Sequence, residues 1–223
     1  MTATDRTTPG RPKITAEAVA RTALELLDEV GLDGLTMRRV ATRLDVAGSA
    51  LYWHVRNKQQ LLDLMSTITL TDAVGSVESP RRGVSWEDWA VDLAFRLRRA
   101  LLRHRDGARV FAGTSTADPV ALRTSELALA AMTDAGFSLV DAGRGFPLLL
   151  HHVVGFTIEE QARLGQAYDG ENPHETAALI AAVDAERFPL TARSRETLYG
   201  PDADADFERG LRVILAGLRA TYL

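Results

Sequence analysis

Gly48-Ser49-Ala50 is followed at once by Leu51-Tyr52-Trp53-His54-Val55-Arg56-Asn57-Lys58. Three positions with almost no side chain let a helix approach a polar surface closely, and the hydroxyl, imidazole and cationic groups behind them can grip anions. A serine hydroxyl can bond a base edge, and an alanine methyl can touch a thymine methyl in the major groove. Tyr52, His54, Lys58 and, one helix earlier, Arg38 can reach phosphates, which fix position without specifying sequence. Trp53 and Val55 are expected to pack beneath.

A second set of reactive groups is His151-His152 with Glu159-Glu160, two helical turns further on. Adjacent residues on a helix diverge, so at most one of each pair can face a common pocket. The chain has no G-x-S-x-G elbow, no P-loop and no H-E-x-x-H; HETAA at 174–178 lacks the second histidine. With no cysteine, a disulfide scaffold, a thiolate zinc site and a cysteine nucleophile are excluded. No enzyme, metal site or cofactor is expected.

These groups need elements to hold them. The 223 residues, 46% hydrophobic and 25% charged, suit an ordinary globular protein with ample core. The net charge of −4 is uneven: residues 1–60 hold nine Lys/Arg against seven Asp/Glu, and the rest seventeen against twenty-three. A mildly basic head on an acidic body is compatible with a DNA-binding unit joined to something else. The opening MTATDRTTPGRPKI lacks the apolar core of a secretion signal. PLLLHHVVGF is too short to span a bilayer. A cytoplasmic protein with no membrane partner is expected.

The pattern is all-α. Thr15 can cap a first helix that Gly31 stops, and Thr36 a second. Asp45-Val46 makes a turn, with Asp tolerating left-handed backbone, and a third helix runs from about Ala47 to His54. A fourth runs from Lys58 to about Thr71. Ala41, Leu44, Val46 and Leu51 supply the small and apolar positions that a helix-turn-helix needs around its crossing. VGSVESPRRGVS reads as a connection. Trp86, Trp89, Leu93, Leu97 and Leu101 then mark an amphipathic helix, and Pro119 to Ala135 another. Gly143, Gly145 and Pro147 predict a kink or delayed start in the stretch from Leu139 to Leu164. A helix from about His174 to Ala185, a loop over FPLTARSRETLYGPDAD and a last helix from Ala205 to Tyr222 complete the chain. The division is a flexible arm at 1–14, a helix-turn-helix unit at 15–60 and a ligand-binding and dimerisation unit at 61–223.

ALELLDEVGLDGLTMRRVATRLDVAGSALYWHVRNKQQLL resembles the head of the tetracycline-repressor (TetR) family of bacterial transcription regulators nearly position for position. LLRHRDGARVFAGT, DAGFSL and VVGFTIEEQ resemble the ligand-binding part of the tetracycline repressor subgroup. The resemblance implies a homodimer on double-stranded, palindromic operator DNA, with half-sites about 34–36 Å apart or a multiple of that. It also implies a four-helix bundle between protomers. Val153, Val154, Leu211, Ile214, Leu215 and Leu218 offer an apolar stripe for that bundle, or for the chain's own core.

The subgroup's drug pocket holds a magnesium ion, and here the correspondence departs. Phe111 stands in place of the metal-binding histidine, Val74 in place of a drug-contacting histidine, and Leu93 and Leu97 in place of asparagine and phenylalanine. Ser115 replaces an arginine and Ala128 a glutamine, whereas Thr114, His151 and Glu159 match. Phenylalanine cannot ligate Mg²⁺. Apolar Leu93, Leu97, Phe111, Phe146 and Leu150 with Thr114, Ser115 and His151 therefore imply a small hydrophobic effector. The function implied is a repressor that such an effector releases; the alternative is a ligand-independent or activating regulator.

Overall fold

The computed structural model describes residues 14–114, 118–165, 172–200 and 202–223. Among them are eleven α-helices and no strand: α1 (Ala16–Gly34), α2 (Met37–Arg43), α3 (Gly48–Tyr52), α4 (Lys58–Val74), α5 (Trp86–Leu102), α6 (Gly107–Ala112), α7 (Pro119–Asp134), α8 (Leu139–Arg163), α9 (Thr176–Ala181), α10 (Pro189–Leu198) and α11 (Ala203–Tyr222). The arm expected at 1–14 lies outside the described residues except for Ile14, and so does Ser115.

Short polar caps set the head. The Thr15 hydroxyl accepts from the Ala18 N–H at 3.1 Å, and Thr36 from Arg39 N–H at 3.3 Å, meeting donors that the first turn of a helix leaves without partners. Gly31, with φ 65°, breaks α1 where a stop was expected, but one further turn continues to Gly34. Asp45 adopts φ 54° between α2 and α3, the left-handed turn that its side chain tolerates. α3 is only five residues, shorter than the Ala47–His54 expected, because the chain leaves the helix after Tyr52.

α1 to α4 close around Val19, Leu27, Val40, Leu51, Val55 and Leu61, all fully buried. That cluster runs along α4 as far as Ile68 and takes in Val110 of α6. The second cluster begins on the same helix at Leu70 and spreads over α5, α7, α8 and α11. α4 therefore has one end in each core and straddles the expected boundary at residue 60.

The body departs from expectation at α8, α9 and α10. α8 runs unbroken for 25 residues from its Ser138 cap through Pro147. Gly145 serves close packing rather than a break: a Cβ there would sit 3.0 Å from the side chains of Leu218 and Met132. α9 is shorter than the helix expected at His174–Ala185, and α10 forms where a loop was expected, with Pro189 in its first turn. Lastly, of the two places left open for the apolar stripe, the chain's own core takes most of it. Val153, Leu211, Leu215 and Leu218 are buried in the chain's own core, and Val154 and Ile214 are half-buried against it. α11 lies along α5 and α8, and those helices claim its apolar face.

A buried ion pair ties these three helices together. The Arg98 guanidinium donates Nε to Glu160 Oε2 and Nη2 to Oε1, both at 2.7 Å, and Nη1 to Asp204 at 2.6 Å. Phe95, Phe156 and Phe207 surround it, the Phe207 centroid 4.8 Å away. Burial opposes the charge on Arg98, but the bonds to Glu160 and Asp204 outweigh it and raise its pKa above the ordinary arginine value.

Candidate functional site

On the head, α3 presents Gly48 and Ser49 to solvent, with nothing within 4 Å of a Cβ placed at Gly48. Ala50 is half-buried and Leu51 anchors the helix in the core. Tyr52 is 52% exposed, and Arg38 in the first turn of α2 is exposed as well. His54 is half-buried. Lys58 donates Nζ to the Leu32 carbonyl at 3.1 Å, so one of its protons secures α1 and its other two are left for other acceptors. Trp53 corrects the sequence reading: it is 87% exposed rather than packed beneath. Leu51 and Val55 already fill the space under α3, so the indole at the helix end turns outward.

In the body, α4 to α8 enclose a cavity of about 440 Å³, within the usual range for small-molecule sites. Leu93, Leu97, Phe111, Phe146, Leu150 and His151 all line it. Thr114 does not: its hydroxyl bonds the Phe111 carbonyl at 2.7 Å and Ser66 at 2.9 Å, which turns it toward α4. His151 is exposed at the rim rather than enclosed, while His152 points inward and stacks on Phe207 with centroids 5.3 Å apart. Glu159 is exposed and Glu160 is buried on Arg98, so neither pair of identical neighbours converges.

Of the wall that α7 supplies, sequence reasoning found only Ala128. Ala121, Thr124, Ser125, Ala128 and Met132 all line the cavity, at i, i+3, i+4, i+7 and i+11. That spacing was the available signal. Trp86 and Trp89 line it as well.

A divalent cation does not fit this cavity. Its polar side chains are two hydroxyls, two indoles and one imidazole at the rim, with no carboxylate among the described residues. Nor do those residues contain any group of three or more His, Cys, Asp or Glu placed to hold a metal ion.

Between head and cavity lies a polar junction that the sequence reading also missed. Asp106, buried with φ 57°, accepts from the Leu32 N–H at 2.8 Å and from Arg109 at 2.9 Å. Asp28 accepts from the Arg105 N–H and pairs with His104 Nδ1, both at 2.9 Å. Gln161 of α8 spans the same loop, donating to the Leu101 and His104 carbonyls and accepting from Ala108 N–H. The end of α1 is thus bonded to the segment leading into α6, and Phe111 on α6 is a cavity wall.

Two family models cover this arrangement. Residues 20–65 match bacterial regulatory proteins of the tetR family, and residues 79–222 match the tetracyclin repressor-like C-terminal domain. The chain belongs to the TetR family. It is 41% identical over 214 residues to the class C tetracycline repressor protein of Escherichia coli, covering 95% of this chain and 93% of that one. A possible TetR-family transcriptional regulator of Streptomyces coelicolor A3(2) superposes with a TM-score of 0.81 at 41% identity, covering 92% and 98% of the two chains. The S. coelicolor TetR-family protein ActR, solved in complex with actinorhodin, superposes at 0.80 with 30% identity, covering 95% and 98%. The protein is accordingly a DNA-binding transcriptional regulator of the TetR family, a family of regulators and not of enzymes. Among the described residues no helix is long and apolar enough to cross a membrane.

Proposed function

We propose that this TetR regulator is a cytoplasmic repressor that binds a palindromic operator as a homodimer and leaves it when a small hydrophobic compound fills the cavity. The observation that carries the reading is the sharing of α4: its first turns belong to the core under α3, and its last, at Leu70 and Val74, are cavity wall. A compound pressing on that wall acts on the helix that seats the reading head. Relatives solved with actinorhodin and with minocycline supply precedent for ligands in this family.

Residues 15–60 form the DNA-binding unit and 61–223 the ligand-binding and dimerisation unit. Ser49 and Ala50 read bases, with Gly48 permitting the approach. Arg38, Tyr52, His54 and Lys58 hold phosphates, and the exposed Trp53 joins them. Dimerisation falls to the outer side of α8 and α11 rather than to the inward stripe. Leu148, His151 and Gly155 on α8 are exposed, as are Val213, Ala216, Gly217 and Ala220 on α11. The small residues among them let a second copy's backbone come close. α9 and α10 contain no buried residue, and Phe188, Leu190 and Leu198 stay exposed on one chain, which gives a partner more to cover.

Sedimentation of the free protein tests the dimer, with Val213→Glu expected to yield monomers. Mobility shift on an operator selected from a randomised duplex pool tests the repressor reading. Retention of the complex in the presence of compounds that fill the cavity would instead favour a ligand-independent regulator.

A further inference from the structure

The two hydroxyls of the cavity have their protons committed, and this sets which compounds it accepts. Thr124 Oγ1 donates to the Val120 carbonyl at 2.8 Å, and Ser125 Oγ to the Ala121 carbonyl at 3.0 Å. Each oxygen keeps lone pairs, and Ala121 and Ala128 on the same face of α7 leave them uncrowded. The tryptophan N–H groups are not on offer. Trp89 Nε1 donates to the Glu78 carbonyl at 2.8 Å, and Trp86 Nε1, though without a hydrogen-bond partner, is buried within the wall rather than open to the cavity. No Lys, Arg, Asp or Glu lines the cavity among the described residues. An ion would therefore lose its water without gaining a counter-ion, which is strongly disfavoured. His151 is at the rim, exposed on one chain and on the α8 face assigned above to the second copy.

We propose that the cavity selects a neutral lipophilic compound that donates a hydrogen bond, such as a phenol or alcohol, to the hydroxyl oxygens of Thr124 and Ser125. This rests on the cavity being the effector site. A donor adds a bond to what is already satisfied, whereas an acceptor must first displace a bond to the helix backbone. One net hydrogen bond corresponds to a preference of about five- to tenfold.

The test is calorimetric titration of the full chain at neutral pH with para-pentylphenol, para-pentylanisole and para-pentylbenzoate. The phenol is expected to bind about five- to tenfold more tightly than the ether, and the benzoate not measurably. In the double variant Thr124→Val/Ser125→Ala the phenol should fall to the level of the ether, while the ether binds as before. That unchanged ether binding also certifies an intact cavity. Equal binding of phenol and ether by the unaltered protein, or benzoate as the tightest ligand, overturns the proposal and leaves the cavity as an effector site. Failure of all three to bind overturns both.

Discussion

The head and the body treat their aromatic residues in opposite ways. Tyr52 and Trp53 stand on the head with more than half of their surface open, whereas Trp86, Trp89 and Phe111 are buried around the cavity. On the head, function follows from residue type and chain position, because Leu51 and Val55 anchor a short helix after a tight turn and fix which of its side chains face outward. In the body, function follows from which helices meet, and identical residue types serve either core or ligand. Replacing the head's groups should alter where the protein sits on DNA, and replacing the cavity's should alter what makes it leave.

The largest effect expected is on the frame that keeps the cavity. Arg98→Met leaves Glu160 buried without its partner and should lower stability by about 3–5 kcal/mol. Denaturant unfolding measures it, and adding Glu160→Gln should restore part of the loss. If Arg98→Met instead leaves the unfolding midpoint unchanged, the three-helix frame does not depend on this pair. Next, Leu97→Trp should fill the cavity, remove ligand binding in calorimetry and act as a built-in effector, lowering operator affinity in a mobility shift by about tenfold. Operator affinity left unchanged by a filled cavity would mean that the cavity does not act on the head.

Smaller changes sharpen the head's side of the contrast. Tyr52→Phe should weaken operator binding by roughly 1 kcal/mol, the worth of one hydrogen bond, across all duplex sequences. A Ser49 substitution should change which sequence is preferred, and an unaltered preference in a selection experiment would remove Ser49 from base reading. The smallest effect concerns acid. Arg212, and then Ser85, hold the Asp88 carboxyl below its ordinary pKa. A depressed folded pKa gives stability that is present above the unfolded value, about 3.9, and lost as pH falls through the folded one. Asp88→Asn should therefore lower Tm slightly at neutral pH, where that stability is present, and flatten its decline below about pH 4. Because Asp88 is exposed, the change will be slight.

The sequence carried the head well because its determinants are local. Thr15 and Thr36 cap, Asp45 turns, and Leu51 and Val55 fall inward by spacing alone. Trp53 escaped because the end of α3 decides its direction, and a five-residue helix has little periodicity to read. In the body, the apolar period of α11 was visible, but periodicity says that a stripe is covered and not by what. Leu211, Leu215 and Leu218 went to α5 and α8. The replacement of polar positions by Phe111, Leu93 and Leu97 was legible as a loss of ligand chemistry. Thr124 and Ser125 were not, since only the packing of α7 against α8 makes them cavity wall. Asp28 bonds Arg105, and Asp106 bonds Leu32, across more than seventy residues of chain, a distance over which no local pattern operates.

The central claim is that filling the cavity loosens the hold on DNA. Fluorescence anisotropy of a labelled operator duplex, titrated with the protein in the absence and presence of saturating para-pentylphenol, measures it directly. The account predicts that operator affinity falls by about tenfold, within the 1–3 kcal/mol typical of such coupling. An operator affinity that does not change while calorimetry shows the cavity filled would contradict it.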